Sequence, residues 1–426
     1  MFYGYKLAGA LWVFYGLTLG MKAGAWGYFA PEIRKDLGLS ATEIGLVAGV
    51  VLAGTAVFVP LAGQFISRYG CRRSMIVGQV LGAAGIAVTA FSTPLWQFVV
   101  GAILLAASTS FGGVVPIQTL ITFWFERYRS RVMAVVFTAT PIWGALSYPS
   151  YDALMNVLDW RGAMLCIVAI FPLGYLLIAL FIKDRPEDVG ARIDGAAAAA
   201  GSGTAPGASP VASVEARWTG KSALLSPAFA MITANVVVCT LPYLYFVTFG
   251  RSLVEAKGVA TEVAVAALAG LTLATLIGRL CVSLADFVNP GVLTLVAMVS
   301  NVAGMVAITV SDAPWVIYGS VFLMGWSFGF SFLLAPILLA DAFGRHVFAT
   351  VESVRMGLVV GVNAAATPAF GYVIDASGSY LLPLEAIMAV HAVAIFALAA
   401  YLIRAGILSA RRAAGGSNGQ GPHGQA

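Results

Sequence analysis

Ionisable residues are scarce in this chain. Only 10% of its 426 residues are Asp, Glu, Lys or Arg, against roughly 25% in soluble domains. With 60% hydrophobic residues and a mean hydropathy of +0.90, a water-soluble globule would lack the charged surface to cover itself. The same numbers set aside a disordered chain and a nucleic-acid-binding module. Four Cys are too few for a disulfide-stapled secreted scaffold. The three His, at 346 in a loop, 391 in the last apolar run and 423 in the tail, offer no metal-ligand cluster. No Ser, Cys or carboxylate constellation suggests catalysis, so neither an enzyme nor a cofactor is expected.

Long apolar runs are abundant. A bilayer core about 30 Å thick takes about 20 helical residues to cross, and the chain holds twelve runs of that order. They fall at Leu7–Phe29, Glu43–Ser67, Ser74–Phe91, Leu95–Phe125, Val132–Met155, Ala163–Ile182, Pro227–Gly250, Val263–Leu284, Val292–Val310, Trp315–Leu339, Arg355–Ile374 and Tyr380–Ile403. The period-2 alternation of a membrane β-barrel is missing, which predicts an all-α membrane protein.

Basic residues orient these spans. With the amino terminus in the cytoplasm, seventeen Lys and Arg fall inside, five (Arg34, Lys35, Arg161, Arg251, Lys257) outside, and two, Lys22 and Arg279, within spans. Both termini are then cytoplasmic. The start MFYGYK carries no small-residue cleavage signature and reads as a retained first helix, in keeping with a bacterial inner membrane.

Six spans precede and six follow a stretch containing GAAAAAGSGTAPGASP, which reads as a flexible cytoplasmic linker over 184–221. The expected organisation is two pseudo-symmetric six-helix bundles, 1–183 and 222–405, with a disordered tail over 406–426. The halves echo each other at an offset of about 220 residues: Pro116 lies eight residues before Trp124, and Pro336 seven before Phe343. Parallel six-span repeats suggest a transporter with its site between the halves. Gly220-Lys221-Ser222 imitates the end of a phosphate loop, but Glu215 stands where that loop needs Gly.

The two mid-span cations carry the functional argument. Each costs about 2.5–3.5 kcal/mol at the bilayer centre, and no mid-membrane carboxylate is evident to compensate them. A cavity lined by one or two cations suits a carboxylate, which Arg grips with two parallel hydrogen bonds. Two plainer readings stand beside this one. Lys22 could snorkel to the interface about 9 Å away, and Arg279 could pair with Asp286, seven residues on along the same helix face. Gln118, Asn235, Tyr243, Tyr245 and Asn363 are softer candidates for lining a path, with helix packing as the alternative for each. The glycine pairs 20/24, 325/329 and 357/361 have the spacing of close helix contacts.

Gly63-Gln64-Phe65-Ile66-Ser67-Arg68-Tyr69-Gly70-Cys71-Arg72-Arg73 resembles the loop signature of the major facilitator superfamily, G-x-L-x-D-R-x-G-R-R, with Ser67 in place of Asp. Leu284-Ala285-Asp286 is similar to its L-x-D part in the second half. Further residues resemble the monocarboxylate porters and their oxalate/formate-type neighbours: Pro116, Trp124 to Arg127, Arg129-Ser130, Asp159 to Arg161, Pro242, Gly278 to Leu280, Phe343-Gly344, and Asp375 to Tyr380. The resemblance implies the major facilitator fold. It also implies a gating loop built on Gly63, Arg68, Gly70, Arg72, Arg73 and Asp286, and a carboxylate-binding Arg279. In animal members an Asp stands one turn before that Arg, where this chain has Thr275, so Lys22 is the candidate proton carrier. The expected function is proton-coupled transport of a lactate- or pyruvate-like monocarboxylate by alternating access. The alternatives are organic anion exchange of the oxalate/formate type and a transporter-like anion sensor. The expected partners are a small organic anion, a proton and the lipid bilayer, with no nucleic acid and no metal.

Overall fold

The computed structural model describes residues 3–125, 128–190, 219–286, 288–343 and 345–416. The core of the expected linker and the end of the tail lie outside these residues. Eleven described helices are long and apolar enough to cross a membrane. The first span is the twelfth, and it is broken. We call it α1: it runs through Tyr3–Tyr15, a π-turn at Gly16–Gly20, Met21–Ala23 and Ala25–Leu37. Gly16, Gly20 and Gly24 leave room for Trp143, Gly144 and Tyr148, whose atoms would collide with any added Cβ at Gly16 and Gly24 and crowd one at Gly20.

The remaining spans are α2 (Ala41–Tyr69), α3 (Cys71–Phe91), α4 (Leu95–Gly112 and Val114–Trp124), α5 (Arg129–Phe137 and Ala139–Met155) and α6 (Trp160–Val168 and Ile170–Phe181). After the linker come α7 (Pro227–Ala256), α8 (Thr261–Leu280), α9 (Pro290–Val310), α10 (Pro314–Phe343), α11 (Arg345–Ser377) and α12 (Leu382–Gly416). Most run past their expected ends because local sequence caps them. Ser40 and Glu43 form a reciprocal capping box that starts α2, Asp159 caps α6 through the Gly162 amide, and Ser226-Pro227 opens α7. α11 starts ten residues before the expected Arg355. That residue is therefore inside a helix, 1% exposed and paired with Glu352 at 2.7 Å, and not in a loop.

Helices from the two sides of the linker meet along α2 with α11, α5 with α8 and α1 with α7. The α2–α11 contact covers one end only. Gly45, Gly49 and Gly371 are pressed against the backbone carbonyls of Thr367, Ala364 and Ala41, leaving no room for a Cβ. Beyond Gly49, no residue of α2 is buried until Ala62, and nothing lies within 4 Å of the Cβ positions of Gly357 and Gly361 on α11. The glycine pairs 20/24 and 325/329 do serve close packing, the latter against Leu271 and Thr275, whereas 357/361 is unpacked here.

Candidate functional site

Beneath the closed end lies a cavity of about 200 Å³ formed by residues of α1, α2, α3, α4, α6 and α7. Its walls are chiefly apolar, with Thr89, Thr109 and Thr248 as polar groups and Lys22 as the only charged one among the described residues. The helix break of α1 sets Lys22 on the side facing α4, where Nζ donates to Ser108 Oγ and Thr109 Oγ1, each at 3.3 Å. It does not snorkel to the interface. Two neutral hydroxyls solvate an ammonium without neutralising it, so the site is complementary to an anion. The volume falls below the roughly 300–1,000 Å³ of drug-sized pockets, which selects a small ligand.

Arg279 sits in the last turn of α8, half-buried, and does not line this cavity. Its Nη1 donates to the backbone carbonyl of Phe137 on α5 at 3.2 Å, and its buried Nε has no partner. Tyr15 and Tyr243 are close enough to interact with it electrostatically. The side chain of Asp286 lies outside the described residues, as does any pairing with Arg279.

The softer candidates are dispersed, and none of them lines the cavity. Tyr243 stacks on Phe328 with centroids 4.0 Å apart. Tyr245 is wholly buried and donates to the carbonyl of Tyr380. Asn235 accepts from Cys239 Sγ, Asn363 is buried with Oδ1 unpartnered, and Gln118 is exposed on α4.

In the loop between α2 and α3, Arg68 and Arg73 are exposed, and Gly63 and Gly70 border a second cavity of about 580 Å³ together with Arg68, Asp184 and Arg185. Asp184, at the end of α6, accepts from the Arg72 amide at 2.8 Å and so caps α3. Gly70 makes this turn at φ +85°, where a Cβ would strike that carboxylate. Arg72 Nη2 donates to the carbonyl of Ala179. Ser67, in the acidic place of the signature, bonds only to Gln64 of its own helix among the described residues.

The closed end holds groups whose partners sequence reasoning did not find. Asp375 at the end of α11 accepts from the amides of Ala41 and Thr42 at 2.8 and 2.7 Å and from Thr42 Oγ1 at 2.5 Å, capping α2 from across the linker divide. Arg34 pairs with it at 3.9 Å and donates to the Tyr380 hydroxyl. Arg251, expected in a loop, is buried on α7. It pairs with Glu32 at 3.2 Å and Glu255 at 2.8 Å, donates to the Tyr28 carbonyl at 2.8 Å, and lies over the Tyr28 ring. The four-residue spacing of Arg251 and Glu255 was the one local signal available.

A broken helix beside a buried cation, and helices that meet across a divide at one end only, are features of membrane transporters built from two helical halves. The Major Facilitator Superfamily model matches residues 11–368, and the chain belongs to that family. It is similar to human monocarboxylate transporter 11, 27% identical over 191 residues, covering 43% of this chain and 40% of that one. It is 27% identical over 160 residues to the hexuronate transporter of Bacillus subtilis (37% and 38% covered), and 28% over 173 to a putative tartrate transporter of Agrobacterium vitis (38% and 37%). The matches thus span about two fifths of these relatives' length. Among solved structures, the nucleoside transporter NupG superposes with TM-score 0.71 at 12% identity (92% of this chain, 99% of that one). A bacterial homologue of the human lysosomal transporter Spinster, in an inward-facing and unoccupied conformation, gives 0.64 at 14% (95% of each).

Proposed function

We propose that this protein carries a small organic monocarboxylate with a proton across a bacterial inner membrane by alternating access. The observation that carries the reading is Lys22, the single charge in a small, otherwise uncharged cavity. One carboxylate neutralises one ammonium, and the apolar walls accommodate a short carbon skeleton. Arg279 stands apart from Lys22, so the cavity presents one cation and suits a monoanion better than a dianion. The similarity to a monocarboxylate transporter and a hexuronate transporter agrees with an organic anion.

The surplus of basic residues at the Arg68 end supports a cytoplasmic location for that end and for both termini. The conformation described here is then open to the inside. The bundles 1–183 and 222–405 rock about Lys22, with 184–221 as their tether. Lys22 is the proton carrier, since Thr275 supplies no carboxyl next to Arg279 and, among the described residues, no acid lines the cavity. Binding of the anion favours the ammonium, and its departure releases the proton.

Uptake of labelled lactate, pyruvate and oxalate into proteoliposomes tests this. Lactate or pyruvate uptake driven by an inward proton gradient, lost in Lys22→Met and cut in Arg279→Ala, is expected. Uptake that requires internal anion and ignores the gradient would replace symport by exchange. Undiminished transport by Lys22→Met would remove the site.

A further inference from the structure

Three threonines line the Lys22 cavity, and they are not equivalent. A threonine on a helix commonly turns its hydroxyl back to a carbonyl of the preceding turn. Thr89 Oγ1 donates to the Gly85 carbonyl at 2.8 Å, and Thr109 Oγ1 donates to that of Leu105 at 2.9 Å while accepting from Lys22. The indole N–H of Trp26, also on the wall, is taken by the Ile44 carbonyl at 2.9 Å. Thr248 has no hydrogen-bond partner among the described residues, although it is only 4% exposed. Its hydroxyl oxygen still meets open space, and for a residue so buried on the cavity wall that space is the cavity.

Thr248 is also held in place. α1 presses on α7 here: a Cβ on Gly27 would collide with the Val247 carbonyl and reach the Cα of Thr248. Leu244, Val247 and Thr248 are the cavity residues that α7 contributes, and Thr248 alone of the three has a polar side chain. Lys22 enters the cavity from α1 beside α4, whereas Thr248 enters it from α7, on the other side of the linker.

A hydroxyl can donate one hydrogen bond and accept two. Left against an alkyl chain in an apolar site it weakens binding, and met by a hydroxyl or keto oxygen it strengthens binding. A site that bonds a ligand oxygen therefore rejects the analogue that lacks it.

We infer that Thr248 is a specificity-determining residue: it bonds an uncharged oxygen on the carbon skeleton of the cargo, so that hydroxy and oxo acids are taken in preference to unsubstituted carboxylates of the same length. The inference rests on the reading of Lys22 as the partner of the carboxylate.

The test is calorimetric titration of butyrate and its 2-hydroxy, 3-hydroxy, 4-hydroxy and 2-oxo derivatives into the full-length protein in nanodiscs. At least one derivative is expected to bind the wild type roughly tenfold more tightly than butyrate, the size of one hydrogen bond. Thr248→Val keeps the shape and removes the hydroxyl, so it should bring that ratio to about one, and Thr248→Ser should keep it. A ratio that survives Thr248→Val overturns the inference, as does a wild type that binds butyrate as tightly as every derivative. Lys22→Met separates the two readings, since it should weaken all five acids together and leave their ratio unchanged. If Lys22→Met binds all five as the wild type does and the ratio still depends on Thr248, the carboxylate reading falls and the role of Thr248 stands. A wild type that binds none of the five overturns both.

Discussion

The two ends of the α2–α11 pair are built from the same helices, yet they behave as different materials. At the Asp375 end, Ala41, Ile44 and Thr367 are fully buried, glycine backbones touch carbonyls, and Asp375 caps α2. At the Arg68 end, Val57 is 63% and Leu358 48% exposed, and two glycines face open space. Adhesion between the halves is therefore concentrated at one end. There an apolar cluster that joins Tyr28, Ile33 and Ile44 to Phe249, Phe370 and Ile374 is edged by a few charge-assisted hydrogen bonds and backbone contacts, with rigid helices transmitting their effect to the other end. Such contacts are breakable within the few kcal/mol available to a transport cycle.

Substitutions at each end test this contrast, and spin labels at Val57→Cys and Leu358→Cys on a cysteine-free background report the gap at the open end. The largest effect is expected from Gly371→Leu, whose side chain has to displace the Ala41 carbonyl, itself helical backbone. Several kcal/mol of overpacking should abolish the closed contact and convert the long label distance into a short one. Arg251→Met comes next. It removes two ion pairs and a carbonyl bond from a buried site, for about 2 kcal/mol or roughly thirtyfold in the closed-end population. Asp375→Asn keeps the shape but loses the charge on the helix terminus and the pairing with Arg34. About 1 kcal/mol, or roughly fivefold, is expected in the same distance distribution. Gly357→Ala should be smallest. With nothing near its Cβ it leaves this state unstrained and favours the helix by up to about 1 kcal/mol. Any penalty it shows in transport would then belong to the opposite conformation. Equal effects from Gly371→Leu and Gly357→Leu would dissolve the contrast.

The spans were readable from hydropathy alone because each is a long apolar run with its own caps. The break in α1 was not, although Gly16, Gly20 and Gly24 sit four apart. Their role depends on Trp143 and Tyr148, more than a hundred residues away. Lys22 and Arg279 stood out as mid-span cations, and the structure brings Lys22 to a cavity. What Arg279 touches was hidden, since the Phe137 carbonyl comes within its reach only when α5 is known to pass α8. Arg251 and Asp375 were counted as an outside loop charge and a helix-end motif residue. Sequence spacing has no term for partners 219 and 334 residues distant.

Composition and periodicity by themselves determined that this chain is a helical membrane protein with two cations in its spans, because the cost of charge and unpaired backbone in hydrocarbon is paid locally, residue by residue. Only the tertiary structure decided which end is closed, where each cation points and which carbonyl holds the arginine. These depend on contacts between segments far apart in the chain, whose geometry is set by packing and by no single helix.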